Sequence, residues 1–194
     1  MIFFLLYSLI IAQRLIELKV ARRNEKKMKA RGAKEFAAEH YKWIVILHTT
    51  FLLSLVLEAY VKGFELSPFF PVLFLLFIVL QGLRVWTIRS LGMFWNTKII
   101  ILPNANIVKK GPFRFLRHPN YVVVSFELLV IPLMFNAFWT AILFTILNAL
   151  LLLLVRIPAE EAALSQQSDY DHQFSDTPRF IPQEERKHSK TPPK

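Results

Sequence analysis

Residues 122–155 form an apolar run in which Glu127 is the one ionisable side chain. Built as a single helix, these 34 residues would measure about 50 Å, against a hydrocarbon core of about 30 Å. One crossing of a bilayer cannot use that length, so the run must fold back. Pro132 and Asn136 mark the bend, which gives two rather short spans as a helical hairpin. A hairpin returns its flanks to one side of the membrane. Those flanks are polar: Gly111-Pro112-Phe113-Arg114-Phe115-Leu116-Arg117-His118-Pro119-Asn120-Tyr121 before the run, and Arg156-Ile157-Pro158-Ala159-Glu160-Glu161 after it.

The rest of the chain fits a membrane protein. Of its residues 54% are hydrophobic, 18 are Phe, and the mean hydropathy is +0.39. A soluble domain of this size could not cover so much apolar surface. The net charge of +10 would suit nucleic acid or an anionic membrane surface. The apolar runs decide for membrane lipids, and no nucleic-acid partner is expected. The absence of Cys removes disulfides, thiolate metal sites and thiol nucleophiles. Further spans are expected at residues 2–18, 43–61 and 68–88. The first lacks a basic leader and a small-residue cleavage site, so it reads as a retained helix. It carries Arg14 and Glu17, which can pair three residues apart, while Arg14 alone would snorkel to the interface. The second carries His48, of a kind that usually bonds a neighbouring helix, and Glu58. The third carries Gln81, Arg84 and Trp86 towards its inner end, and an arginine at that depth must face protein, water or a ligand.

Loop charge sets the orientation. Residues 19–34 hold eight basic side chains, and residues 89–117 hold six basic and no acidic ones. Both read as cytoplasmic loops. Within the second, residues 98–102 and 107–108 flank Pro103-Asn104-Ala105-Asn106 and read as a small extended hairpin or paired loop rather than a helix. The expected fold is an all-α integral membrane protein with about five transmembrane helices, the last two a hairpin. Its N-terminus lies outside, and its cytoplasmic loops and C-terminal tail close a cofactor pocket. Residues 1–88 make a three-helix membrane region, 89–182 a cofactor-binding region, and 183–194 a disordered tail.

Pro119 suits the first position of a helix, which places free N–H groups and the positive end of the helix dipole in the pocket. Arg117 and His118 add donors, and Tyr121 adds a ring and a hydroxyl. Glu127 lies seven residues after Asn120, on the same face and about 10 Å deeper. An intramembrane carboxylate is a functional candidate by default. On the other flank Arg156 ends the fifth span, Pro158 favours a break and restart of the helix, and Glu160 and Glu161 supply carboxylates. A zwitterionic, sulfonium-bearing ligand with an amino group, a carboxylate and a ribose diol would use both clusters.

Gly111-Pro112-Phe113, Arg117-His118-Pro119-Asn120-Tyr121, Arg156 with Glu160-Glu161, Tyr170 and Pro178-Arg179-Phe180-Ile181-Pro182 resemble the isoprenylcysteine carboxyl methyltransferase family. The resemblance covers roughly residues 84–182. It implies an integral membrane enzyme that binds S-adenosyl-L-methionine in a cytoplasm-facing pocket and takes a lipophilic acceptor sideways from the bilayer. By match of position, His118, Pro119 and Tyr121 would contact the cofactor with Arg117, and Glu160 would lie nearby. Arg156 and Glu161 would lie at the methyl-transfer centre. Arg84 and Trp86 resemble an Arg-Trp pair before the family's Leu-Gly, here Leu91-Gly92, and with Glu127 are the acceptor-side candidates.

The expected reaction is in-line methyl transfer to an oxygen, in which the protein positions the reactants and excludes water. A carboxylate acceptor would be oriented by Arg156. An acidic hydroxyl would lose its proton to a carboxylate such as Glu161. No metal is required. The chain looks bacterial, which places it in a cell membrane and favours a membrane-partitioned small molecule, such as an alkylpyrone-type polyketide or an isoprenoid-like compound, over a prenylated protein. Two other readings stand beside this one. One is a nicotinamide-dependent lipid or sterol reductase of related architecture, and the other is a non-enzymatic basic membrane protein.

Overall fold

The computed structural model describes residues 1–180. Ile181, Pro182 and the tail expected to be disordered, 183–194, lie outside the described residues. The chain is an all-α membrane protein. Helix α1 (Ile2–Lys29) leads through a short strand β1 (Lys34–Phe36) into α2 (Ala38–Val61) and α3 (Phe70–Leu91). A second strand β2 (Ile99–Ile101) precedes α4 (Pro119–Leu133) and α5 (Phe138–Leu151). A π-helical turn, Leu152–Arg156, joins α5 to α6 (Ile157–Gln167), and a short α7 (Tyr170–Gln173) follows. Three helical stretches are long and apolar enough to cross a membrane, Ala38–Val61, Phe70–Phe94 and Phe138–Gln167, and Pro119–Leu133 is a shorter apolar helix. The outward faces are apolar too: Leu57, Leu75 and Leu154 are each about two-thirds exposed, at 66%, 65% and 70%. Water would not tolerate that pattern, whereas lipid does.

The apolar run folds back where its length demands. Asn136 takes the left-handed conformation at φ 56°, which Asn tolerates better than most residues. The Ala137 N–H then donates to the Pro132 carbonyl at 3.0 Å. The new helix start is capped from another span. Glu58 of α2 accepts the Trp139 and Thr140 N–H groups at 3.0 and 2.7 Å, and the Thr140 hydroxyl at 2.7 Å. A carboxylate at a helix N-terminus satisfies orphan donors and the dipole together. α4 packs on α3 and α5, and α5 packs on α2. At this end of the bundle the core is tight, with Phe3, Leu55, Met134 and Phe135 almost fully buried. The ring of Phe3 meets those of Phe135 and Phe64 at 4.8 and 4.9 Å. The cavity described below lies among the residues of the opposite end.

Three local expectations change. The basic segment after residue 18 is helix, not loop, because Glu17, Ala21, Asn24 and Met28 form a buried stripe at helical spacing. Asn24 donates to the Gly92 and Trp95 carbonyls at 3.0 and 2.8 Å. The extension thereby holds the turn that starts the segment between α3 and α4. Second, Ile99–Ile101 does not pair with residues 107–108. It pairs antiparallel with Lys34–Phe36, Glu35 opposite Ile100. Asn104, at φ 58°, turns the chain away, and its N–H donates to the Gln167 carbonyl at 3.0 Å. Third, the helix does not break at Pro158. Leu152, Arg156 and Ile157 all keep right-handed helical angles, and the wider π turn absorbs the proline that an α-helical interior would reject.

Candidate functional site

His118 sits at the N-cap of α4 and Pro119 at its first position, as the sequence predicts. Arg117 is fixed to the tail: its N–H donates to the Pro178 carbonyl at 2.9 Å and its Nε to the Thr177 carbonyl at 2.5 Å. Across from this helix start, the π turn delivers Arg156. Its Nε donates to the Tyr121 hydroxyl at 3.1 Å and its Nη2 to the Thr97 carbonyl at 2.9 Å. The Tyr121 hydroxyl in turn donates to Glu160. The hairpin therefore joins the two polar clusters, Arg156 and Glu160 meeting on Tyr121. The rings of His118 and Tyr121 stack at 5.4 Å.

The two carboxylates divide their work. Glu160 lines a cavity of ≈ 270 Å³ with Tyr121 and Arg156. Glu161 is not part of that wall. It accepts from His118 Nε2 at 3.0 Å and from both Nε, at 3.0 Å, and Nη2 of Arg179. It thus ties the start of α4 to the tail. The hydrogen bonds to Glu161 raise the pKa of the Arg179 guanidinium, so this tie stays charged on its basic side.

The cavity runs from the tail into the membrane helices. Tyr170 and Phe174 line it at one end, and Ile44, His48 and Arg84 line it from α2 and α3. Leu91, Val124, Leu151 and Leu152 give it apolar walls. Trp95 Nε1, Asn120 Oδ1, Arg156 Nη1 and the Tyr170 hydroxyl are buried with no hydrogen-bond partner among the described residues, and all four side chains line this one space. Buried polar atoms are rarely left alone without a ligand or water to meet them. They offer two donors, one acceptor and a hydroxyl that can act as either.

The remaining acceptor-side candidates lie elsewhere. Glu127 is fully buried and bound by Arg14, Arg84 and Gln81 at 2.6, 2.7 and 2.9 Å. Arg84 also grips Glu17, and Arg14 pairs with it at 3.1 Å. Trp86 packs beneath the turn at Gly111, where φ is 58° and an added Cβ would fall 3.1 Å from the indole nitrogen and 2.1 Å from Ser90 Oγ. Neither Glu127 nor Trp86 lines the cavity. Conversely, Trp95, Thr97, His48, Asn148 and Phe174 line it without any sequence signal for that role. Tyr170 carried one, through the family resemblance.

The strand that roofs this space is clasped by charge. Lys98 Nζ reaches Glu25 and Glu35 at 3.1 and 3.2 Å, and Lys29 reaches the same two at 2.7 and 2.6 Å. Hydrogen bonds from Lys29, then from Lys98, hold both carboxyls below their usual range. A depressed carboxylate contributes above its unfolded pKa, about 4.3, and the contribution is lost as pH falls through the folded value. Limited proteolysis followed by mass spectrometry should find residues 95–108 resistant from neutral pH down to about 5, and more readily cut below about 4. The double variant Glu25→Gln, Glu35→Gln should be cut faster at neutral pH as well.

Residues 72–166 match the model of the isoprenylcysteine carboxyl methyltransferase (ICMT) family. The chain is 44% identical over 166 residues to the uncharacterized protein YpbQ of Bacillus subtilis (strain 168), covering 86% of this chain and 98% of that protein. It is 29% identical over 160 residues to an uncharacterized protein of Haemophilus influenzae, covering 82% and 92%. The matched region spans nearly all of α3, both hairpin helices, the π turn and nearly all of α6, the elements that bring Arg156 and Glu160 to Tyr121. The chain belongs to the isoprenylcysteine carboxyl methyltransferase family.

Proposed function

We propose that this protein is an S-adenosyl-L-methionine-dependent membrane O-methyltransferase acting on a lipophilic acceptor. The observation that supports this most is one cavity that has Arg156, Tyr121 and Glu160 in its wall, reaches the membrane helices, and is lined by four side chains with unpartnered buried polar atoms. The residues present fit the cofactor. A carboxylate suits Trp95 Nε1, while an ammonium group or a ribose hydroxyl suits Asn120 Oδ1 and Glu160. The aromatic faces of Tyr121, Tyr170 and Phe174 suit an adenine ring and a sulfonium. When bound, the cofactor supplies a methyl group activated on a sulfonium.

The chain's own residues position and exclude. Arg117, His118, Pro119 and Tyr121 form the cofactor-holding end of α4. Arg156 orients the acceptor oxygen, because its Nε and Nη2 are fixed by protein and Nη1 is buried without a partner. Glu161 serves as a positioning residue, since His118 and Arg179 occupy its oxygens. Leu91, Val124, Leu151 and Leu152 would take the acceptor's apolar body, and its entry would be lateral, from the bilayer. The protein spans a bacterial cell membrane about five times, with its N-terminus outside and its tail in the cytoplasm, as the loop charges indicate.

Isothermal titration of the purified protein tests the reading. S-adenosylhomocysteine is expected to bind, and reduced nicotinamide adenine dinucleotide phosphate is not. Binding of the dinucleotide alone would convert the assignment to a reductase, and binding of neither would leave a non-enzymatic membrane protein.

A further inference from the structure

His48 is the cavity-lining base that the scheme above does not use. Its Nδ1 lies 2.9 Å from the Ile44 carbonyl of its own helix, not on a neighbouring one. A carbonyl only accepts, so Nδ1 carries the proton and Nε2 of the neutral ring carries a lone pair. Nε2 makes no hydrogen bond to the described residues, and the ring lines the cavity among the membrane helices. The other carboxylates and imidazole on this wall have protein partners, and Glu160 has its place on the cofactor side. Glu17 is held by Arg84, Arg14 and Gln13. Glu160 accepts from Tyr121, and His118 Nε2 faces Glu161. Glu161, the base expected from the sequence, is off the wall and bound by Arg179.

We infer that His48 is the general base of this protein, and that its acceptor is a lipophilic phenol or enol whose hydroxyl is still protonated at neutral pH. The inference rests on the methyltransferase reading and deepens it. A carboxylate acceptor would need no base, and the structure would then hold an oriented, unpartnered imidazole nitrogen in the wall of the cavity for no purpose. In the transfer, the acceptor O–H bond breaks and its proton goes to Nε2 of His48. The electron pair left on oxygen forms the O–CH3 bond as the CH3–S bond breaks. The sulfur keeps that pair and loses its positive charge, and the charge reappears on the imidazolium. Arg84 and Glu17 share the cavity wall with the ring, and both are paired within the cluster that includes Arg14 and Glu127.

The test is methyl transfer from labelled S-adenosylmethionine into a bacterial membrane lipid extract by the full-length protein. Cofactor binding is followed separately by titration with S-adenosylhomocysteine. Two variants are compared with wild type. His48→Asn keeps a donor near the position of Nδ1, and His48→Gln places an amide near Nε2, so either one can stand in if the other fails to fold. The expected product label survives mild alkali, as a methyl ether does. Both variants should bind S-adenosylhomocysteine within about twofold of wild type and lose about a hundredfold or more in rate, the usual size of a general base's contribution. Label released as methanol by mild alkali would mark a methyl ester and overturn the inference while leaving the methyltransferase reading intact. So would ether label formed by the variants within about threefold of the wild-type rate. Cofactor binding by wild type without lipid labelling would overturn the lipid hydroxyl acceptor alone, and absence of cofactor binding would overturn the reading on which it rests.

Discussion

Replacing Arg156 with alanine is expected to lower methyl transfer by about a hundredfold or more, the cost of removing one preorganised charged donor from a reacting centre. The geometry says why one side chain should matter so much. Its three nitrogens have three different duties. Nε holds the Tyr121 hydroxyl, which also meets Glu160; Nη2 holds the Thr97 carbonyl, just before β2; and Nη1 is buried without a partner. The residue thus fixes the start of α4, α6 and the segment leading to β2 around one point while keeping a cationic donor free. Arg156→Lys retains the charge but not the planar fork, so it should recover little of the loss. The check is the initial rate into the lipid fraction alongside the affinity for S-adenosylhomocysteine. If Arg156 acts on the acceptor, the rate falls far more than the affinity. A rate within threefold of wild type would remove Arg156 from the centre.

How far such a centre can be read from the sequence differs from residue to residue. The juxtaposition of the two clusters was legible because it follows from length: an apolar run too long for one crossing has to return, and its flanks come back together. Pro119 and His118 were legible because helix starts have local chemistry. The π turn was not, because nothing in Leu152–Arg156 distinguishes i→i+5 from i→i+4 bonding; the choice is made by Pro158 and by what Arg156 finds across the cavity. The helical extension of α1 was hidden by its charge. Lys, Arg and Glu are good helix formers, and the Ala21, Asn24, Met28 stripe was present in the sequence, but loop-charge reasoning reports the side of the membrane and not the conformation. His48 and Glu58 were visible only as isolated polar residues. The partners of Glu58 lie about eighty positions away, across the bundle, and tertiary packing alone pairs such residues.

Glu127 is the case in which depth in the membrane suggests chemistry and the partners indicate architecture. Glu127→Ala is expected to cost about 3–5 kcal/mol, enough to leave little folded protein, because it breaks a buried ion pair and strands its partners. The native cluster balances Arg14 and Arg84 against Glu17 and Glu127 across α1, α3 and α4. Without Glu127 it carries one uncompensated positive charge among the membrane helices. Removing the opposing charge as well should restore most of the loss. In the double variant Arg14→Met, Glu127→Met the pair Arg84–Glu17 remains neutral and hydrogen-bonded, and the methionines refill the space with apolar volume. Yield of monodisperse protein in detergent and its thermal midpoint should therefore rank wild type and the double variant together, well above either single variant. A double variant as unstable as Glu127→Ala would mean that the carboxylate is needed for more than charge balance, and would return Glu127 to the acceptor side of the site.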